Sequence, residues 1–246
     1  MTRHADIVRS VLRKLELLAA LDESDRAAIG RLPFEIEAVP AQRLLVREGG
    51  QATTCCLLAE GYACRHKTTS DGRRQIVSFH MRGDILDLQH LLFPVADHDI
   101  QTITPAVVAW VPVRALRQIA RERPTIGDAF WRDTLIDASI FREWVLNVGR
   151  RAAKARISHL LCEFAARGQA IGLGSLEGFE LPMTQEEIGD ATGLTSVHVN
   201  RTLRTLREEG VIAQDGRQLT VRNWPRLRQI AGFDAGYLHN AAKEAA

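Results

Sequence analysis

Between residues 34 and 113 the sequence breaks into short apolar runs separated by glycine, and this texture constrains the fold more than any other feature. The runs are 43–46, 55–59, 62–67, 75–80, 100–103 and 107–111. Gly49-Gly50, Glu60-Gly61, Asp71-Gly72 and Arg82-Gly83-Asp84 punctuate them. Runs this short, repeated at this spacing, predict an antiparallel barrel or sandwich. Asp71-Gly72 sits between two of them and supplies the backbone freedom of a tight hairpin.

On either side the period changes from two to about 3.6. Ile7, Val11, Leu15 and Leu18 recur at helical spacing, and 22–30 reads as a second short helix. Helix returns from Arg114 to about Arg167, with Pro124 as a natural break. Within it runs a seam of alternating four- and three-residue steps: Gly127, Trp131, Thr134, Ala138, Phe141, Val145, Val148, Ala152 and Ala155. Two helices packed side by side need that spacing. A helix buried against its own domain can show a similar stripe. The segment lies between compact regions, and its seam mixes small and aromatic residues. A homodimer is therefore expected, with Trp131, Thr134, Ala138, Phe141, Val145 and Val148 at the interface. The glycine-rich stretch 168–178 reads as a connector, since no Gly-Lys-Ser/Thr follows to make a phosphate loop.

Composition narrows the class. The formal charge is +2 over 246 residues, which argues against coating nucleic acid by bulk charge. Residues 1–149 carry no net charge, whereas 196–228 hold seven arginines against three carboxylates. No apolar run reaches membrane-spanning length, and the start lacks the apolar core of a secretory signal. A cytoplasmic protein with no membrane partner is expected, long enough for two domains. Cys55, Cys56, Cys64 and Cys162 form no CxxC pair. Neighbouring Cys55 and Cys56 would face opposite sides of a strand, so all four read as core residues rather than ligands.

The most informative stretch is 181–206. Thr184 with Glu187 makes a capping box that opens a short helix. Gly193 stands where a turn between helices needs positive φ, and Gly189 where the helices approach closely. Thr195 can cap a second helix. Ile188, Leu194, Val199, Leu203 and Leu206 supply one apolar face; Ser196, Val197, His198, Asn200, Arg201 and Arg204 point the other way. Arg201 can donate to guanine O6 and N7, Asn200 can reach an adenine edge, and Val197 can meet a thymine methyl. Thr184, Thr195, His198 and Arg204 suit phosphates. After Gly210 two short runs flank Asp215-Gly216, forming a hairpin with Arg217 at its tip. Helix-turn-helix plus hairpin is a winged helix, and double-stranded DNA is its expected partner.

With these residues in place, the chain resembles the Crp–Fnr family of transcription regulators from end to end. The likeness is carried by 61–67, Asp71-Gly72-Arg73, 79–84, the linking helix and 184–207. It implies an α+β chain in three parts. These are an N-terminal antiparallel β-barrel sensor domain of the cyclic-nucleotide-binding, jelly-roll type (1–123), a long dimerisation helix (124–150) and a C-terminal winged helix-turn-helix domain (151–246). It further implies a homodimer on a two-fold symmetric operator, recruiting RNA polymerase. No Ser-His-Asp order, activated cysteine or paired-carboxylate constellation stands out, so an enzyme is not expected. The last arginine of the family's recognition motif falls on Arg201, and its base-reading glutamate falls on Val197.

The family's cyclic-nucleotide pocket pairs a glutamate with an arginine. Here Asp84, Asp87, Asp97 and Asp99 occupy a stretch without Lys or Arg from 83 to 113, so the usual binding of cyclic AMP is not expected. Asp97-His98-Asp99 makes an incomplete metal site. No spacing singles out His66, His80, His90 or His98 as a haem ligand, and the N-terminal segment lacks cysteines for an iron–sulfur cluster. No cofactor is expected and the effector stays open. The competing reading is a ligand- or redox-sensing module whose winged helix docks a protein.

Overall fold

The computed structural model describes residues 3–239. Met1, Thr2 and residues 240–246, which belong to the expected first and last segments, lie outside the described residues. Two compact units divide the chain. The first holds 3–67 and 78–138, the second 68–77 and 139–239, so the division falls inside one long helix.

The first unit opens with α1 (Arg3–Leu15) and α2 (Glu23–Gly30). Asp22 caps α2, accepting the Asp25 N–H at 2.7 Å while Asp25 accepts the Asp22 N–H in return. Seven strands follow: β1 (Glu35–Val39), β2 (Leu44–Val46), β3 (Thr54–Glu60), β4 (Ala63–Thr68), β5 (Arg74–His80), β6 (Asp99–Thr102) and β7 (Ala106–Pro112). They form two sheets, ordered β1-β7-β3 and β2-β6-β4-β5. The expected hairpin joins β4 to β5, with Gly72 at φ 84°.

Alternation along β3 explains how the layers hold together. Cys55, Leu57 and Ala59 face a core shared with Ile7, Val11 and Leu15 of α1. Cys56 and Leu58 face the other way, into a core with Ala63, Ile100 and Val108 drawn from both sheets. Strand β3 is thus buried on both faces although it ends its sheet, which is why its sequence reads as an almost unbroken apolar run. Adjacent cysteines do point to opposite sides, as strand geometry requires.

After β7 come α3 (Val113–Glu122) and α4 (Pro124–Arg150). Pro124 begins α4, a position where its missing N–H costs nothing. The single helical stretch expected from 114 to 167 is divided again at Arg151 and Ala152, where Ala152 adopts an extended backbone (ψ 157°) before α5 (Ala153–Ala170). The seam residues Ala152 and Ala155 therefore fall beyond α4. The second unit continues with β8 (Gly178–Glu180), α6 (Gln185–Thr192), α7 (Ser196–Glu208), β9 (Ile212–Asp215), β10 (Gln218–Val221) and α8 (Trp224–Ala231). Its sheet runs β8-β10-β9. The expected α+β plan of an antiparallel β domain, a long helix and a winged helix-turn-helix is present.

Candidate nucleic-acid interface

The helix-turn-helix is built by local chemistry that the sequence spells out. Thr184 Oγ1 accepts the Glu187 N–H at 3.2 Å, and Glu187 Oε2 accepts the Thr184 N–H at 2.7 Å, closing the capping box of α6. Gly193 ends α6 in the left-handed conformation, φ 66°. A Cβ on Gly189 would lie 2.5 Å from the Leu194 carbonyl oxygen, so only glycine lets the turn close over α6. Thr195 then caps α7, accepting the His198 N–H at 3.3 Å.

Burial sorts the two faces of α7. Val199, Leu203 and Leu206 are buried together with Ile188 of α6, and Leu194 is half-buried. On the opposite side Ser196, Val197, Asn200, Arg201 and Arg204 are exposed, with His198 half-buried. Val197 is 78% exposed, a conspicuous position for an apolar side chain. Thr184 and Thr195 are exposed at the N-termini of their helices, where backbone N–H groups favour an anion. Among the described residues Arg201 enters no ion pair, whereas Arg204 Nε donates to Glu208 Oε1 at 2.8 Å. Both partners of that pair are well exposed, so it contributes little and a phosphate can replace it.

Strands β9 and β10 form the wing, joined by the two-residue turn Gly216-Arg217 with Gly216 at φ 56°. Arg217 is exposed at the tip. Two residues that the sequence did not single out hold these parts in register. Arg207 at the end of α7 reaches Gln214 on the wing at 3.4 Å. Arg156 on α5 donates to the Thr192 carbonyl at 3.0 Å and to the Arg151 carbonyl at 2.7 Å. Both are half-buried arginines bonding backbone or amide oxygens, and nothing in their sequence context separates them from solvated arginines.

On α4, Trp131 (60%), Val145 (59%) and Phe141 (49%) are exposed, as are Thr134, Ala138, Leu135 and Leu146, while Val148 is half-buried. Gly127 turns inward, its α-carbon facing the Ala120 carbonyl. An apolar row of this length facing water on one helix is unusual for a monomer.

In the β domain, Asp84 finds a cation the local sequence does not contain. Lys14 of α1 reaches Asp84 at 2.9 Å and Asp133 at 3.4 Å; Asp84 also accepts the Met81 N–H at 3.0 Å. Arg65 pairs with Asp137 and donates to the Leu86 carbonyl at 2.7 Å. Burial pushes the carboxyl of Asp87 up to about 6, partly offset by the Cys56 N–H it accepts. Asp97, His98 and Asp99 diverge: His98 lies between Asp97 (2.6 Å) and Gln89 (3.2 Å), while Asp99 accepts the Glu48 N–H. His80 bonds Ser78, His90 bonds the Phe93 carbonyl, and His66 is buried near Asp99. Among the described residues no three or more His, Cys, Asp or Glu side chains converge as metal ligands. All four cysteines are buried, and burial holds their thiols well above the usual range for Cys55 and Cys56 and up to about 12 for Cys162. Buried thiols of this kind are poor ligands and poor nucleophiles. No helix among the described residues is long and apolar enough to cross a membrane.

Comparison with known proteins places these parts. Residues 36–123 match the family model of the cyclic nucleotide-binding domain, and 155–230 that of the Crp-like helix-turn-helix domain. The chain is 27% identical over 228 residues to the transcriptional activator protein FnrL of Cereibacter sphaeroides, covering 91% of each. It is 23% identical over 188 residues to the fumarate and nitrate reduction regulatory protein of Escherichia coli, covering 76% of this chain and 75% of that one. Among solved structures, FixK2 from Bradyrhizobium japonicum aligns with a TM-score of 0.75 at 27% identity, over 83% of this chain and all of that one.

Proposed function

The chain belongs to the Crp–Fnr family of DNA-binding transcription regulators, and from that premise we propose that it acts as a homodimer joined along α4, reading a two-fold symmetric operator with α7. The observation that carries this reading is the sorted surface of α7. Val199, Leu203 and Leu206 are buried, and the outward face offers an asparagine, an exposed valine and an arginine, Arg201, that enters no ion pair among the described residues.

In this reading Arg201 donates bidentately to a guanine, Asn200 reaches an adenine edge and Val197 packs on a thymine methyl. Thr184, Thr195, Ser196, His198 and Arg204, with Arg217 from the wing, bond the backbone and fix the register. Where relatives use a glutamate to accept from a base, Val197 cannot, so this chain reads a different base at that step. The exposed apolar seam of α4 joins the two copies through Trp131, Thr134, Ala138, Phe141, Val145 and Val148. The β domain of 1–123 serves as sensor, 124–150 as the dimer helix and 151–246 as the DNA reader, and the complex recruits RNA polymerase.

The sensor works without cyclic AMP in the family's usual manner. Asp84 is already held by Lys14 and the Met81 N–H, and Arg65 by Asp137, so neither is available to ribose or phosphate. It also works without a cysteine-ligated cluster, because Cys55 and Cys56 lie on opposite faces of β3 and are kept protonated by burial, and Cys64 is buried on β4. No catalytic role is assigned to any residue.

A salt titration of DNA affinity tests the reading. With Arg204 and Arg217 on phosphates in both copies, log Kd against log salt should have a slope of magnitude about 3 to 4, falling by about 2 in Arg217→Ala. A slope near zero would mean that the winged helix does not bind the DNA backbone.

A further inference from the structure

The end of α4 and the whole of α5 meet at a two-residue joint, Arg151 and Ala152, and side chains bridge the two helices beyond it. Near the joint Asn147 Nδ2 donates to the Arg156 carbonyl at 3.3 Å. Further out His159 Nε2 lies 3.3 Å from Glu143 Oε1. Furthest of all, Trp144 Nε1 donates to both carboxylate oxygens of Glu163, at 3.0 and 3.1 Å. Glu163 is 1% exposed, yet it collects more than that bond. The Tyr237 hydroxyl, which follows α8, donates to Oε2 at 2.7 Å, and Arg167 stands 3.7 Å from Oε1. His159 stacks on Tyr237 and meets Phe233 edge-on, closing the site from outside.

A buried carboxylate is costly unless it is fully bonded, and hydrophobic packing would hold two helices together at least as well. What a bonded carboxylate adds is direction: donors from α4 and from the segment after α8 meet it in one geometry, with the Arg167 ion pair beside it on α5. Its position matters as well. Trp144 lies ~9 Å before the end of α4 and Glu163 ~15 Å into α5, so this is the bridge with the longest lever on the joint. The same joint is tied to the turn of the helix-turn-helix by Arg156, bonding the Thr192 carbonyl.

We propose that Glu163 is a positioning residue for DNA reading: it clamps Trp144 and Tyr237 so that α7 is held at one angle to the last three turns of α4, residues 140–150, and thereby sets the half-site spacing that a dimer accepts. The inference rests on the dimeric reading above. Residues 140–148 carry part of the seam and the Trp144 contact alike, so a change of angle at the joint displaces both recognition helices symmetrically. Glutamine at 163 keeps the shape but removes the negative charge and one of the two acceptor oxygens that Trp144, Tyr237 and Arg167 share.

The test uses full-length protein and DNA duplexes carrying two half-sites at the best spacing, the same half-sites moved apart by one or two base pairs, and a single half-site. Wild type should discriminate the best spacing by about tenfold or more. Glu163→Gln should flatten that preference several-fold while single-half-site affinity stays within about twofold. Tyr237→Phe, which deletes one hydroxyl, should flatten it less. An unchanged spacing profile in Glu163→Gln would overturn the inference, and so would a loss that is equal on single and double sites, since that would be a plain folding defect. A wild-type protein that shows no spacing preference would instead overturn the two-site reading, and the inference would fall with it.

Discussion

Arg201 and Val197 stand one turn apart on the exposed face of α7, and between them they define what this protein can read. Among the described residues Arg201 has no carboxylate to leave before it meets a base. Arg201→Ala should cost ~1–3 kcal/mol on the preferred site and relax selectivity at one base per half-site. Competition with sites mutated at each position checks this; equal weakening on all sequences would make Arg201 a phosphate contact. A second residue-scale prediction concerns His159. Burial, reinforced by Arg151, holds its imidazole down to about 3, against 6.5 for the free side chain. The folded value is the depressed one, so the unfolded chain takes up the proton first. Stability from the neutral ring is complete above pH 6.5 and is lost as pH falls towards 3. By pH 5 the loss is about 2 kcal/mol. Urea titrations should therefore show that His159→Phe loses less stability than wild type between pH 7 and pH 5. Parallel pH dependence in the two proteins would contradict the assignment.

At the scale of elements, α4 makes the sharpest prediction. Its seam is apolar and faces water, so a charge placed there should separate the copies. Phe141→Glu should give monomers in light scattering and weaken two-half-site binding while leaving the fold intact. A dimer that persists would refute the interface. Elements also show why the sequence was readable in some places and opaque in others. The turn from α6 to α7 was legible because each of its requirements is local: Thr184 with Glu187, Gly189 beneath a carbonyl, Gly193 at positive φ. So was the hairpin at Asp71-Gly72. Strand β1 was not, since it is mostly exposed and its charged residues hide any apolar run. Strand β8 lies at the end of a glycine-rich connector and owes its existence to pairing with β10, a distant partner. The break at Arg151 and Ala152 carries neither proline nor glycine; it is imposed by Arg156 and Asn147 bonding across the joint. The cation at Asp84 was equally hidden, because Lys14 lies far away in sequence. The face of α7 was thus open to reading, while the clamp at Glu163 could be found only in three dimensions.

For the molecule as a whole, a net charge of +2 conceals an uneven distribution. The first 149 residues are neutral, and the excess arginine lies on and just beyond α7. Affinity for random DNA should therefore be modest, with selectivity resting on a few side chains. In the β domain Asp84, Asp87, Asp97 and Asp99 each meet an internal partner, which leaves the two-fold arrangement of α7 as the property on which the whole account depends. Selection of bound sequences from a pool of random duplexes by the purified full-length protein tests that property most directly. The account predicts an inverted repeat whose half-site centres lie one helical turn apart, ~34 Å. Enrichment of a single unrepeated motif, or of no motif at all, would contradict it.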